Sequence, residues 1–157
     1  MEKSTTIHST FVLERSYAAT PERVFDAFAN PEKKRRWFFE SGHSQLEHHE
    51  LDFKEGGTER ARMKFGPGTP IAGKTITNDG IYESIQPGRR IVTAYRMSLD
   101  GVPFSVSLAT IEILPSAAGT DLILTHQGAY FEGADGPEMR KGGWNSLLDK
   151  LAKELAL

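Results

Sequence analysis

Between Ser44 and Gly128 the chain offers one strand pattern after another and no helical period, and this constrains its fold more than any other feature. Candidate strands span 45–54, 58–65, 74–86, 90–98, 103–114 and 120–128. The breaks between them are turn-formers: Glu55-Gly56-Gly57, Gly66-Pro67-Gly68, Pro87-Gly88, Asp100-Gly101 and Ser116 to Gly119. Pro87-Gly88 suits the centre of a type II turn, where glycine takes the positive φ. Asp100-Gly101 suits a type I′ hairpin. Connections this short join antiparallel neighbours, because a parallel crossover needs a dozen or more residues. The expected core of the fold is therefore an antiparallel meander.

An earlier strand, His8 to Tyr17, alternates, with Phe11, Leu13 and Tyr17 on one face and Glu14 and Ser16 on the other. Two short helices follow. Thr20-Pro21-Glu22 and Asn30-Pro31-Glu32 each place a capping side chain before a proline at the first helical position, then an acid in the first turn. The first helix is expected to bury Val24, Phe25 and Phe28. The second is short and basic (Lys33, Lys34, Arg35, Arg36) and runs into Trp37, Phe38 and Phe39. At the other end, Asp135 and Glu138 flank Pro137 like a capping box. Trp144, Leu147, Leu148, Leu151 and Leu155 then recur at helical spacing, with Asn145, Asp149, Lys150 and Lys153 opposite.

The order β-α-α-β(6)-α gives an α+β domain with a seven-stranded antiparallel sheet, one face of which needs cover. The C-terminal helix is the main cover available. One helix is narrow against so wide a sheet, so a curved sheet wrapped round it leaves a gap, the kind of place where small-molecule pockets form. Gly142-Gly143 would weaken the helix, and serve either close backbone packing or space for a ligand. At 157 residues, with no repeat or linker, the chain reads as one domain over 1–157 with its core at about 8–155. There is no cysteine, the net charge is −2 with both signs dispersed, and MEKSTTIHST holds no apolar run. These features argue against nucleic acid and membrane insertion as partners and for a cytoplasmic protein, leaving room for a homodimer.

Several motifs carry chemistry on paper. Gly68 to Thr75 spells GxxxxGK[ST], the phosphate-loop pattern, but Ile76 to Gly80 continues as strand and turn where that loop needs a helix. A hairpin loop is the simpler reading. His43, His48 and His49, interleaved with Glu47 and Glu50, suggest a metal. Adjacent His48 and His49 point to opposite faces of a strand, so an exposed polar strand without metal is expected. The Lys33–Arg36 run reads as a solvated face. His126 shares a face with Leu122 and Leu124, inward by alternation, where desolvation would lower its pKa. It is either a core histidine bonded to a tyrosine or backbone, or a ligand-facing or catalytic group. No cofactor fingerprint or nucleophile motif stands beside it.

The stretches AATPERVFDAFANPEKKRRWF (18–38), GIYESIQPGRRIVTAY (80–95), GTDLILTHQG (119–128) and GGWNSLLDKLAKEL (142–155) together resemble the Hsp90-ATPase-activator-homologue-like branch of the START-related helix-grip superfamily. The markers are Pro21, Val24, Phe25 and Ala27, then Asn30, Pro31 and Trp37, Thr125-His126, and Gly143-Trp144, spread from about Thr10 to Leu155. The superfamily includes polyketide cyclases and lipid-transfer domains, so the resemblance implies the fold more than the function. It places Trp37 at a cavity mouth and Trp144 in the opening turn of the last helix.

The function expected is binding of a small apolar, aromatic or lipid-like molecule, without a cofactor, between sheet and helix. The candidate lining residues are Trp37, Phe39, Met63, Phe65, Tyr82, Tyr95, Phe104, His126, Trp144 and Leu148. Tyr82's direction is open, because the phase of strand 74–86 is ambiguous. A second reading is an enzyme of cyclase, dehydratase or hydrolase type, with His126 as acid–base group beside Tyr82, Tyr95 or Arg96. A third is a co-chaperone-like regulator of an Hsp90-type ATPase, on the family resemblance alone.

Overall fold

A computed structural model describes all 157 residues. Its strands are β1 (Ile7–Tyr17), β2 (Ser44–Leu51), β3 (Thr58–Phe65), β4 (Thr75–Gln86), β5 (Arg90–Leu99), β6 (Val102–Ser116) and β7 (Gly119–Tyr130). The helices are α1 (Pro21–Ala29), α2 (Pro31–Lys34) and α3 (Pro137–Leu155). All neighbouring strands are antiparallel, in the order β1-β7-β6-β5-β4-β3-β2. The six-strand meander thus forms as expected, and β1 adds to its far edge along β7. This is the α+β helix-grip fold.

Local chemistry sets most boundaries. Thr20 and Asn30 cap α1 and α2 by accepting from the amides of Arg23 and Lys33. Gly88 has φ 71°, and the Arg89 amide donates to the Gln86 carbonyl, as a type II turn requires. Asp100 and Gly101 both have positive φ (47° and 81°), the signature of a type I′ hairpin. Gly119 is the position where glycine is needed most. Its φ is 140°, and a Cβ there would lie 2.5 Å from the Tyr17 carbonyl oxygen at the end of β1. Gly119→Ala is expected to lower stability by about 2 kcal/mol or more in denaturant unfolding, since backbone stands on both sides of the clash.

Two expectations change at the helices. α1 buries Val24, Ala27 and Phe28, while Phe25 is half-buried against Phe53. α2 passes directly into a π-helical turn over Arg35–Phe39, closed by the Glu40 amide donating to the Arg35 carbonyl. The wider turn buries Trp37 and Phe39 and leaves Phe38 half-buried between them. The expected Asp135 cap on α3 does not form. Gly136 occupies the cap position with no side-chain bond, and Asp135 turns to Arg140 instead.

The sheet's inner face closes on α3 unevenly. Tyr17 donates to the Leu148 carbonyl, Arg23 to the Leu155 carbonyl, and Arg36 grips Glu154 through two bonds of 2.7 and 2.8 Å. α3 therefore sits on β1, α1 and the π turn. Trp144, Leu148 and Leu151 are buried there, with Leu147 and Leu155 half-buried. The β3–β5 side of the sheet is left to face an open space.

Candidate functional site

That space is a cavity of about 330 Å³ lined by 21 residues, 13 of them hydrophobic. β3, β4 and β5 supply its floor, since side chains two apart share a face: Glu59 and Met63, then Asn78, Gly80 and Tyr82, then Ile91, Thr93, Tyr95 and Met97. Tyr82, whose direction the sequence left open, points inward. The roof comes from Phe38 and Phe39 of the π turn and from Met139, Gly143, Trp144 and Leu147 of α3. Met139 is 68% exposed and marks the open edge. A Cβ at Gly142 or Gly143 would meet nothing within 4 Å, so these glycines do not serve close packing; Gly143 borders the cavity.

Of the residues expected to line a pocket, Phe39, Met63, Tyr82, Tyr95 and Trp144 do so. Trp37, Phe65, Phe104, His126 and Leu148 do not. Trp37 is locked behind the wall: its indole N–H donates to the Ala27 carbonyl at 2.8 Å, and its ring packs edge-on against Phe28 and Phe38. Leu148 is buried in the core, its carbonyl accepting from Tyr17 of β1, and Phe104 is buried at the head of β6 where pairing with β5 shifts register. Phe65, at the end of β3, is half-buried beyond the cavity.

His126 lies one layer further in. It is fully buried, stacked on Phe11, with Nε2 2.6 Å from the Tyr95 hydroxyl. This is the tyrosine-bonded core histidine of the simpler reading. Desolvation, helped by the Arg140 charge, pulls its pKa down to about 4. The acid–base role required His126 to reach the cavity, and Tyr95 stands in between. Arg96 is exposed on the opposite face and Tyr82 is bonded elsewhere, so the constellation imagined around His126 reduces to Tyr95 alone.

Two charged clusters that sequence reasoning missed do reach the wall. In the first, Lys34 Nζ donates to Glu59 Oε1 at 2.5 Å, Tyr82 donates to the same oxygen at 3.0 Å, and His49 Nε2 donates to Glu59 Oε2 at 2.9 Å. Burial pushes the Glu59 carboxyl up, but the Lys34 charge and the His49 and Lys34 hydrogen bonds outweigh it and hold it below its ordinary value. Burial and the adjacent carboxylate push the Tyr82 phenol well up. Lys34 thus leaves the basic run expected to be solvated and turns inward. His49, expected on an exposed strand, is buried against Phe39, whereas His48 turns out toward Glu50.

In the second cluster Arg140 clamps Asp135 through Nε and Nη2 at 2.8 and 2.9 Å. It also donates to Ser105 (2.8 Å), Tyr95 (3.2 Å) and Ser107 (3.3 Å). Burial alone would lower its pKa, but the Asp135 bonds and charge reverse the shift and keep it cationic. The GxxxxGK[ST] segment lies apart from the cavity, in the turn between β3 and β4. Its Ala72, Gly73 and Lys74 amides already donate to Thr69, Phe65 and Ile71 carbonyls, so they form no anion cradle.

The sequence profile of the family described as Activator of Hsp90 ATPase homolog 1-like protein matches residues 18–156. The chain belongs to this family. Among solved structures of similar fold is the Mll3558 protein from Rhizobium loti, at 40% identity and a TM-score of 0.84, covering 97% of this chain and 100% of that one. A putative uncharacterized protein from Rhizobium leguminosarum matches at 35% identity and TM-score 0.87, covering 96% of each chain. The AHSA1 protein from Silicibacter pomeroyi matches at 25% and 0.73, covering 94% and 98%. No curated protein matches the chain significantly. The match to the Hsp90-activator-like family thus runs from α1 through α3. No helix of this member is long and apolar enough to cross a membrane.

Proposed function

We propose that this protein binds a small, mainly apolar or aromatic molecule in the cavity between β3–β5 and α3. The observation that carries the reading is the cavity itself, about 330 Å³ in volume and largely hydrophobic in its lining. Its volume falls at the small end of the roughly 300–1,000 Å³ typical of ligand pockets. An unfilled apolar void lowers stability, because its lining loses packing contacts. Filling it with a ligand of matching shape restores them. Trp144, Tyr95 and Tyr82 give the walls flat aromatic surface with polar tips, which suits a ring-bearing guest.

Gly143→Leu tests this with opposite signs on two measurements. A leucine replaces a helical glycine, which should raise stability by about 1 kcal/mol. The same side chain occupies space beside Trp144 that a ligand would need. Apolar ring compounds should raise the melting temperature of the wild-type protein, and native mass spectrometry of freshly purified protein should show bound small molecules. In Gly143→Leu both signals should vanish while the ligand-free melting temperature rises. A thermal response retained in full by the variant would place binding elsewhere.

A further inference from the structure

Four charged side chains reach the cavity wall, and they make two complete pairs, Lys34 with Glu59 and Arg140 with Asp135. Their donors are not equally committed. Arg140 has five N–H groups, and all five are taken: two by Asp135, one each by Ser105, Ser107 and Tyr95. It is a fastening between α3 and the sheet and has nothing left to offer a guest. The Lys34 ammonium has three donors, of which Glu59 takes one and the Tyr82 oxygen, at 3.4 Å, a second. The third has no acceptor in the protein. Around it stand Glu59, Tyr82 and, with its ring centre 4.8 Å from Nζ, Phe38, all of them lining residues.

Charge balance then limits what the occupant can be. With both pairs complete, the lining is neutral overall. A carboxylate guest would bring an uncompensated negative charge into a mainly apolar space beside the Glu59 carboxylate, with a single N–H to meet it. A neutral carbonyl asks only for that one charge-assisted hydrogen bond. Resting on the cavity-binding reading above, we infer that the occupant is an uncharged apolar or aromatic molecule bearing a carbonyl oxygen, of the ketone, ester or amide class, which accepts the third N–H of Lys34. Fatty acids and aromatic acids are excluded by the same charge balance.

The test is a matched ladder of probes on benzene, naphthalene and biphenyl bodies, each as methyl ketone, ethyl hydrocarbon and carboxylate, titrated calorimetrically at neutral pH. For the best-fitting body the ketone should bind about tenfold more tightly than the hydrocarbon, the increment of a hydrogen bond from a charged donor. The carboxylate should bind more weakly than either. In the Lys34→Met/Glu59→Gln double variant, which keeps the cavity neutral and whose amide keeps an oxygen for Tyr82 and turns its NH2 to His49 Nε2, the ketone should lose its advantage while the hydrocarbon's affinity stays the same. Equal binding of ketone and hydrocarbon, or tightest binding of the carboxylate, would overturn the assignment to Lys34 and leave the cavity reading standing. No binding by any body would overturn the cavity reading itself. The wild-type ladder decides the matter even if the double variant fails to fold.

Discussion

Replacing Arg140 with methionine is expected to destabilise the protein by about 3–5 kcal/mol, the range for removing one partner of a buried ion pair. Arg140 lies one turn into α3 and ties it to three places at once: Asp135 before the helix, Ser105 and Ser107 on β6, and Tyr95 on β5. Its loss leaves the Asp135 carboxylate, mostly buried, without a counter-charge, and strips donors from two buried serines. α3 has no other fastening of this kind at that end. Its cap residue is Gly136, which contributes no side chain, and Gly142-Gly143 weaken the following turns. Lysine should recover little, because an ammonium supplies three donors where the planar fork supplies five. Urea unfolding checks this: the midpoint should fall with the slope unchanged. A loss under about 1 kcal/mol would mean that Asp135 and the serines find water or other partners, and that the apolar stripe and the Arg36–Glu154 pair suffice to hold α3.

The same residue shows where the sequence can and cannot be read. Thr20, Asn30, Gly88 and the Asp100-Gly101 pair act within a few residues of themselves, so their roles are legible. Asp135 looks like a cap by the same local logic, and fails because a guanidinium held by three distant side chains is a better partner than the helix amides. Lys34 misleads for a related reason. Within a run of four basic residues it looks solvated, and only Glu59, far along the chain, turns it inward. A signal exists: on β3, Glu59 shares its face with Ala61 and Met63, and a carboxylate on an inward face demands a cation. His49 follows from the same demand.

The candidate lining divides along another physical boundary. Alternation identifies which face of a strand a residue occupies, and in that sense Met63, Tyr95 and His126 are placed correctly. It does not say whether core or cavity lies opposite that face. That depends on where α3 stands off the sheet, which no periodicity records. His126 therefore looks equivalent to Tyr95 and is in fact the layer behind it, and Leu148 looks equivalent to Leu147 although only Leu147 reaches the cavity.

Buried neutral His126 should make the fold acid-sensitive in a window that its neighbours do not share. Its pKa falls from 6.5 to about 4 on folding, so between those values the unfolded chain binds a proton that the folded chain refuses. Stability rises with pH wherever the unfolded state binds more protons, so acidification from about pH 6.5 to 4 must lower it. The drop approaches about 3 kcal/mol at the acid end, since each tenfold difference in proton affinity between the two states is worth about 1.4 kcal/mol. The charged groups acting on the ring are Arg140, which disfavours the imidazolium, and Asp135, which favours it less strongly; Tyr95, Phe11 and Trp144 pack around it without charge. Glu59 also loses its contribution on acidification. Its folded pKa is below the ordinary carboxylate value, so that loss begins at about pH 4.5 and continues downward. His126→Gln separates the two, because its amide oxygen still accepts from the Tyr95 hydroxyl but does not titrate. Urea midpoints measured from pH 7 to 4 should fall steadily in the wild type and stay nearly level in the variant until about pH 4.5, where both turn down together. A variant that tracks the wild type through the whole range would mean that the imidazole keeps its ordinary pKa of 6.5 in the folded protein, so that its burial is not what makes the fold acid-sensitive.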